Sequence, residues 1–238
     1  MSTPGRRIRR VVTDRTGGVG RRPYDSFNLA EHVGDAPGAV TANRARLAAA
    51  AGVGPDRLVW MQPVHGARVQ VVDTAQTAAV QDCDGLVTTA PGLVLTALSA
   101  DCVPILLADH EAGVIGAVHA GRLGVRLGVA AQALAVMVAA GARAARVDAL
   151  LGPAICGGCY EVPPAMQHDV EAHAPGSASR TSAGTTGLDL RAGIAAQLGA
   201  AGVGRIAVDA RCTFEDQRLF SHRREGRTGR QAGLVWIE

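Results

Sequence analysis

Cys102 and His119 stand beside the ends of two short apolar runs, Leu93–Leu98 and Gly113–Val118, in ALSADCVPILLADHEAGVIGAVHAGRLGVR. Runs this short, rich in Val, Ile and Leu and bounded by turn residues, read as buried strands. Strand ends hold side chains rigidly, so a thiol and an imidazole there can be fixed against each other. His65 occupies a similar place, in the turn Pro63-Val64-His65-Gly66 between the strand-like stretches Leu58–Gln62 and Ala67–Val72. The separations of 37 and 17 residues along His65, Cys102 and His119 are not those of a zinc finger. Two chemistries stay open. Two His and one Cys form a ligand set for catalytic zinc, with a fourth position left for water or substrate and the bound water's pKa lowered to about 7. Alternatively, Cys102 is a nucleophile and His119 its base. The bland alternative is an inert buried thiol beside a hydrogen-bonded histidine.

Around these residues lie groups that could hold an anion. After His119, Ala120-Gly121-Arg122-Leu123-Gly124 opens a helical pattern over Val125–Ala140. A Gly-rich turn from strand to helix presents unpaired N–H groups to negative charge. Arg122 and Arg126 lie in it, and SHRREGRTGR near the carboxy terminus adds Arg223, Arg224, Arg227 and Arg230. Guanidinium groups can clamp an anion bidentately, although such a run also suits a solvated face. The polar segment Tyr24–Asp35 reads as a surface loop, with Asn28 its candidate substrate contact. Cys156-Gly157-Gly158-Cys159 follows a Pro and sits in loop sequence, unlike a redox motif that opens a helix. A zinc knuckle needs a second pair, and the chain has no second Cys-x-x-Cys, so this reads as a turn carrying two free thiols.

The elements that position these groups alternate irregularly. Strands are expected at Val11–Thr13, Leu58–Gln62, Ala67–Val72, Leu86–Thr88, the two central runs, Arg146–Leu151, Arg205–Ala210 and Leu234–Ile237. Helices are expected at Val40–Ala51, Val125–Ala140, Pro163–His173 and Leu188–Ala201. Ala174–Gly187, rich in Ser, Thr and Gly, reads as a mobile loop. Without an internal repeat or linker, residues 1–238 form one α+β domain, a mixed sheet covered by helices.

Composition narrows the function. All 24 basic residues are Arg. With no Lys, Schiff-base chemistry, a P-loop lysine and a Ser–Lys dyad are excluded. Aromatic residues make up 3% of the chain, which argues against a base-stacking nucleic-acid surface. GxGxxG is absent, as is the zinc-deaminase signature. Seven His without a His-x-His argue against clustered copper ligands. Five irregularly spaced Cys are a poor disulfide framework. Met1–Arg10 is basic, with no apolar segment after it and no span long enough for a bilayer, so a cytoplasmic protein without membrane contact is expected.

Many of these pieces together resemble the YfiH family, also called the laccase-domain or multicopper polyphenol oxidase family. The matching segments include Ser26-Phe27-Asn28-Leu29, His32-Val33-Gly34-Asp35, Gln62-Pro63-Val64-His65-Gly66, Asp84-Gly85-Leu86-Val87-Thr88, Ala100-Asp101-Cys102-Val103-Pro104, Val118-His119-Ala120-Gly121, Gly152-Pro153-Ala154-Ile155, Leu188-Asp189-Leu190 and Phe220-Ser221-His222-Arg223-Arg224. They run in family order over nearly the whole chain. The resemblance implies a layered α/β sandwich like that of toxin-type glutamine deamidases. It also implies a zinc enzyme that phosphorolyses adenosine, inosine, guanosine and methylthioadenosine with orthophosphate and deaminates adenosine. The metal ligands carry over to His65, Cys102 and His119, which would also serve catalysis. Copper, a Cys–His amidase and a factor editing peptidoglycan precursors are the alternatives. A monomer is expected. The family commonly reads His-Ala-Gly-Trp-Arg-Gly where this chain has His119-Ala120-Gly121-Arg122-Leu123-Gly124, and Tyr where it has His222. Arg122 or Arg126, together with Arg223 or Arg230, is therefore expected to supply the missing charge.

Overall fold

The computed structural model describes residues 7–238. Met1–Arg6, with Arg6 of the basic amino-terminal stretch, lies outside the described residues. In chain order the strands are β1 (Ile8–Val12), β2 (Leu58–Val59), β3 (Val69–Val71), β4 (Gly85–Thr88), β5 (Val94–Ser99), β6 (Val103–Asp109), β7 (Val114–Ala120), β8 (Asp148–Leu151), β9 (Ala178–Arg180), β10 (Thr186–Leu188), β11 (Arg205–Val208) and β12 (Gln231–Ile237). The α-helices are α1 (Pro37–Ala51), α2 (Arg122–Arg126), α3 (Val129–Ala139), α4 (Pro164–His173), α5 (Leu190–Ala200) and α6 (His222–Glu225).

Two mixed sheets carry the fold. One runs β1-β12-β5-β2 and the other β11-β8-β6-β7-β4-β3. The alternation of side chains along each strand shows how they are stacked. Leu106 and Ala108 of β6 join Leu95, Ala97, Val235 and Ile237 of the smaller sheet in one apolar cluster. Ile105 and Leu107, pointing the other way, join Val129, Ala133 and Met137 of α3 and Ile194 of α5. Leu58, Val94, Leu98 and Leu234 face outward from the smaller sheet onto Leu47 and Ala48 of α1. The result is helix, sheet, sheet, helix in four layers, the expected α+β sandwich. Truncating a central residue such as Leu106, which is fully buried, would cost about 2–5 kcal/mol.

Three expectations change. Val103–Asp109 is a full strand where no strand was expected. Both its faces are covered, so every residue is buried and no period-2 signal survives. The helical pattern over Val125–Ala140 breaks at Gly128, whose φ of +74° separates α2 from α3. The segment expected as a mobile loop holds the β9–β10 hairpin, and Gln167 Nε2 ties it to α4 by donating to the carbonyls of Ser179 and Gly187.

Candidate functional site

β5 belongs to one sheet and β6 to the other, so Ala100-Asp101-Cys102 is the crossing between layers. β7 lies antiparallel beside β6, with His119 opposite Pro104 and Ala120 opposite Val103. That register brings His119, inside its strand rather than after it, to the end where Cys102 sits. β4 flanks β7 on the other side and places Asp84, just before it, against His119. The turn before β3 adds His65. The donor atoms of His65, Cys102 and His119 all lie within 4.8 Å of one another. The imidazole rings of His65 and His119 meet edge to face at 4.8 Å.

The backbone is bent to make this possible. His65 has φ +58° and Asp101 φ +94°, both in the left-handed region that side chains avoid. Asp84 holds the first bend: its carboxylate accepts the backbone N–H groups of Val64 at 3.2 Å, His65 at 3.0 Å and Gly66 at 2.7 Å. Asp101 holds the second, accepting from the hydroxyls of Thr213 at 2.6 Å and Ser221 at 2.7 Å and from the Arg223 N–H at 2.6 Å. Gly121 allows the close approach of chain to site. A Cβ there would collide with His65 Nδ1 and lie 3.1 Å from Cys102 Sγ. The turn after His119 thus forms one wall of the donor cluster before α2, a helix of five residues, begins.

Asp84 is the site residue that sequence reasoning missed. Its carboxylate is fully buried and accepts from His119 Nδ1 at 2.9 Å, while its carbonyl accepts the His119 N–H at 2.7 Å. Burial pushes its pKa up, but the hydrogen bonds from His119, Gly66 and Val64 outweigh that and hold it below the usual range. It fixes His119 with Nδ1 outward and Nε2 toward the cluster, as a carboxylate does behind a metal-bound histidine. The only sequence signal was an acidic residue heading a fully buried strand.

Electrostatically the cluster is poised. Burial resists a charge on Cys102, yet the positive His119 and hydrogen bonds from both histidines bring its pKa down to about 6. His119 is likewise opposed by burial, but Cys102 and Asp84 raise it to about 9. The donor set passes a chemical test for a divalent metal. One sulfur and two imidazoles converge, one imidazole is backed by a carboxylate, and the glycine wall leaves room beside them.

Two cavities meet at Cys102. One, of about 360 Å³, is lined by His32, His65, Cys102, His119, His222 and Arg230. The other, of about 160 Å³, is lined by Asp101, Cys102, Arg122, Tyr160, His222 and Arg223 among others. The Arg223 guanidinium lies over the Tyr160 ring at 5.0 Å. Among the described residues Arg122, Arg223 and Arg230 form no ion pair, whereas Arg15, Arg44, Arg126, Arg211 and Arg218 all do. Arg126 lines neither cavity and is bound to Asp169 at 2.6 Å. Leu123, in the family's arginine position, is exposed. Asn28 is fully buried with its amide engaged by Ala30, Asp35 and the Arg230 N–H, so it braces the loop and Arg230 instead of facing a cavity. A larger cavity of about 700 Å³ near Arg15 and Arg218 contains no thiol or imidazole. The Cys156–Cys159 turn carries free thiols, but it is not isolated: Cys212 and Glu215 come to it from a distant segment.

The fold and the chain both have close relatives. Residues 9–238 match the family model for multi-copper polyphenol oxidoreductase laccase, and the chain belongs to that family. A Mycobacterium tuberculosis protein named purine nucleoside phosphorylase is 58% identical over 98% of this chain and 93% of its own length. A Corynebacterium glutamicum protein of the same name is 55% identical, with coverage of 98% and 95%. The crystal structure of YfiH from Bacillus licheniformis superposes with a TM-score of 0.92 at 28% identity, covering 99% of this chain and 97% of that one. YlmD from Geobacillus stearothermophilus gives a TM-score of 0.90 at 34% identity, with 97% and 92% covered. No helix among the described residues is long and apolar enough to cross a membrane.

Proposed function

We propose that this chain is a zinc-dependent purine nucleoside phosphorylase working as one cytoplasmic, monomeric catalytic domain, with adenosine deamination as a side activity. The observation that carries the reading is the placement of the His65, Cys102 and His119 donors beside three arginines whose guanidinium groups form no ion pair among the described residues. Relatives named for this activity, at 55% and 58% identity over nearly the full chain, support it.

Phosphorolysis asks a protein to bind a multiply charged anion, orient it at the ribose carbon and help the purine depart. Arg122 and Arg223 would hold orthophosphate in the smaller cavity, where Tyr160 stiffens Arg223 by stacking. Arg230, His32 and His222 line the larger cavity, where the nucleoside would lie. His65, Cys102 and His119 would hold zinc, and when bound it supplies a Lewis acid and an acidified water, the chemistry that deamination needs. With zinc bound, Asp84 would keep the remaining His119 proton on Nδ1 and leave Nε2 to donate electrons. Zinc is favoured over copper because the seven His of the chain include no His-x-His of the kind clustered copper ligands need.

A second reading rests on the Cys102 thiol, which is held at about 6 by His119 and so is charged at neutral pH. That is the state of a cysteine hydrolase's nucleophile. Metal stripping separates the two. Nucleoside turnover that disappears with a chelator and returns with zinc supports the first reading. Turnover that survives chelation and is blocked by thiol alkylation supports the second.

A further inference from the structure

Cys156 and Cys159 lie in one loop, and Cys212 and Glu215 in another some 50 residues further on, yet the three sulfurs and a Glu215 carboxylate oxygen lie within 4.8 Å of one another. We propose that these four residues form a second metal site, one that takes a thiophilic divalent cation such as zinc with three thiolates and one carboxylate. The inference is independent of the reading of His65, Cys102 and His119.

The two loops have the same backbone. In the first, the N–H groups of Cys159 and Tyr160 both donate to the Cys156 carbonyl, at 3.0 Å and 2.9 Å. In the second, those of Glu215 and Asp216 both donate to the Cys212 carbonyl, at 3.2 Å and 2.8 Å. Each is thus a tight turn with donors at its first and fourth residues, and the chain supplies the second half of the knuckle as Cys-x-x-Glu. A search for a second Cys-x-x-Cys misses it. The turns are joined at their bases by the bridge between Ala154 and Cys212. The Cys156 N–H donates to Cys212 Sγ at 3.3 Å, the kind of contact that stabilises a metal-bound thiolate.

The charge pattern points the same way. Among the described residues Glu215 forms no ion pair, although its neighbour Asp216 pairs with Arg218. Cys159 Sγ donates to Glu215 Oε1 at 3.6 Å. Four donors that become anionic on losing protons converge, and among the described residues none of them forms an ion pair. Soft sulfur ligands select zinc and similar ions, and tetrahedral Zn–S bonds of about 2.3 Å would set the sulfurs about 3.8 Å apart. The donors need to close by only a small movement. Cys212 is buried and Glu215 exposed, so the site is closed on the protein side and open to entry from solvent. On binding, each cysteine would release its thiol proton to solvent and no electron would be transferred.

Its place explains what it would do. Cys159 precedes Tyr160, and Cys212 precedes Thr213, whose hydroxyl holds Asp101 beside Cys102. A metal here would staple the loop that lends Ile155 and Tyr160 to the smaller cavity to the loop whose Thr213 holds Asp101.

The test uses the full chain purified with zinc and reductant. Elemental analysis should find one metal equivalent fewer in Cys156→Ser and in Cys212→Ser than in the parent. After cobalt(II) replacement, the sulfur-to-metal absorption should persist in Cys102→Ala and be lost when Cys156→Ser and Cys212→Ser are added to that variant. In case these variants fold poorly, thiol footprinting of the parent gives the same answer. Zinc added to chelator-treated protein should protect Cys156, Cys159 and Cys212 from iodoacetamide. Unchanged metal content in the folded variants, unchanged alkylation in the parent, or a Cys156–Cys159 disulfide in the zinc-replete reduced protein would overturn the proposal.

Discussion

His119 Nδ1 lies 2.9 Å from Oδ1 of Asp84, and the same carboxylate accepts three backbone N–H groups of the His65 turn. One buried acid thus orients two of the three donors. Asp84→Asn keeps the shape but can present an N–H where His119 needs an acceptor. The variant should bind metal about 10–100-fold more weakly, read by competition with a chromogenic chelator. Unchanged affinity would mean that the histidine is held by other contacts.

The acidity of Cys102 gives a pH signature in metal-stripped protein. His119, raised to about 9, is protonated below that pH and stabilises the thiolate beside it. The Cys102 thiolate therefore appears as pH rises through about 6, instead of through the ordinary 9.0. Alkylation of Cys102, followed by mass spectrometry, should inflect near the lower value. His119→Ala removes the charge, so its inflection should move upward. An inflection of the parent near 9 would contradict the ion pair.

Arg122, Arg223 and Arg230 border the cavities at Cys102, and Arg126 is occupied by Asp169. Losing one charged hydrogen bond to phosphate costs about 1.5–3 kcal/mol. Arg122→Ala and Arg223→Ala should each raise the apparent phosphate constant by about ten- to a hundredfold. Arg126→Ala should leave it unchanged. Equal effects in all of them would point to a diffuse electrostatic field.

Gly121 is tested by size alone. Gly121→Ala puts a methyl against His65 Nδ1 and Cys102 Sγ. The metal should be lost from this site while far-UV circular dichroism stays that of the parent. Full metal occupancy in the variant would show that the wall yields.

Local chemistry was legible in the sequence, and long-range partnership was not. His65, Cys102 and His119 could be flagged because turn residues mark the strand ends that carry them. Gly52, with φ +73°, ends α1 where glycine predicted a stop. β6 was hidden because its burial is continuous and Pro104 lies within it. Its missing N–H costs nothing in the β6–β8 pairing, which begins at Ile105. Asp84 heads its strand, and nothing local tells that the His65 turn and β7 both return to it. The pairing of Cys156 and Cys159 with Cys212 and Glu215 arises from the bridge between distant loops, which spacing does not encode. Arg126 has the same local context as Arg122, and only Asp169, brought over by α4, separates their roles.

The central claim is nucleoside phosphorolysis at the His65, Cys102 and His119 site, and product analysis tests it most directly. Purified zinc-loaded protein is incubated with inosine or adenosine, with and without orthophosphate, beside Cys102→Ala and His119→Ala. Free base and ribose 1-phosphate are expected in equal amounts, only with phosphate present and in neither variant. No cleavage by the parent, cleavage indifferent to phosphate, or full activity in Cys102→Ala would contradict it.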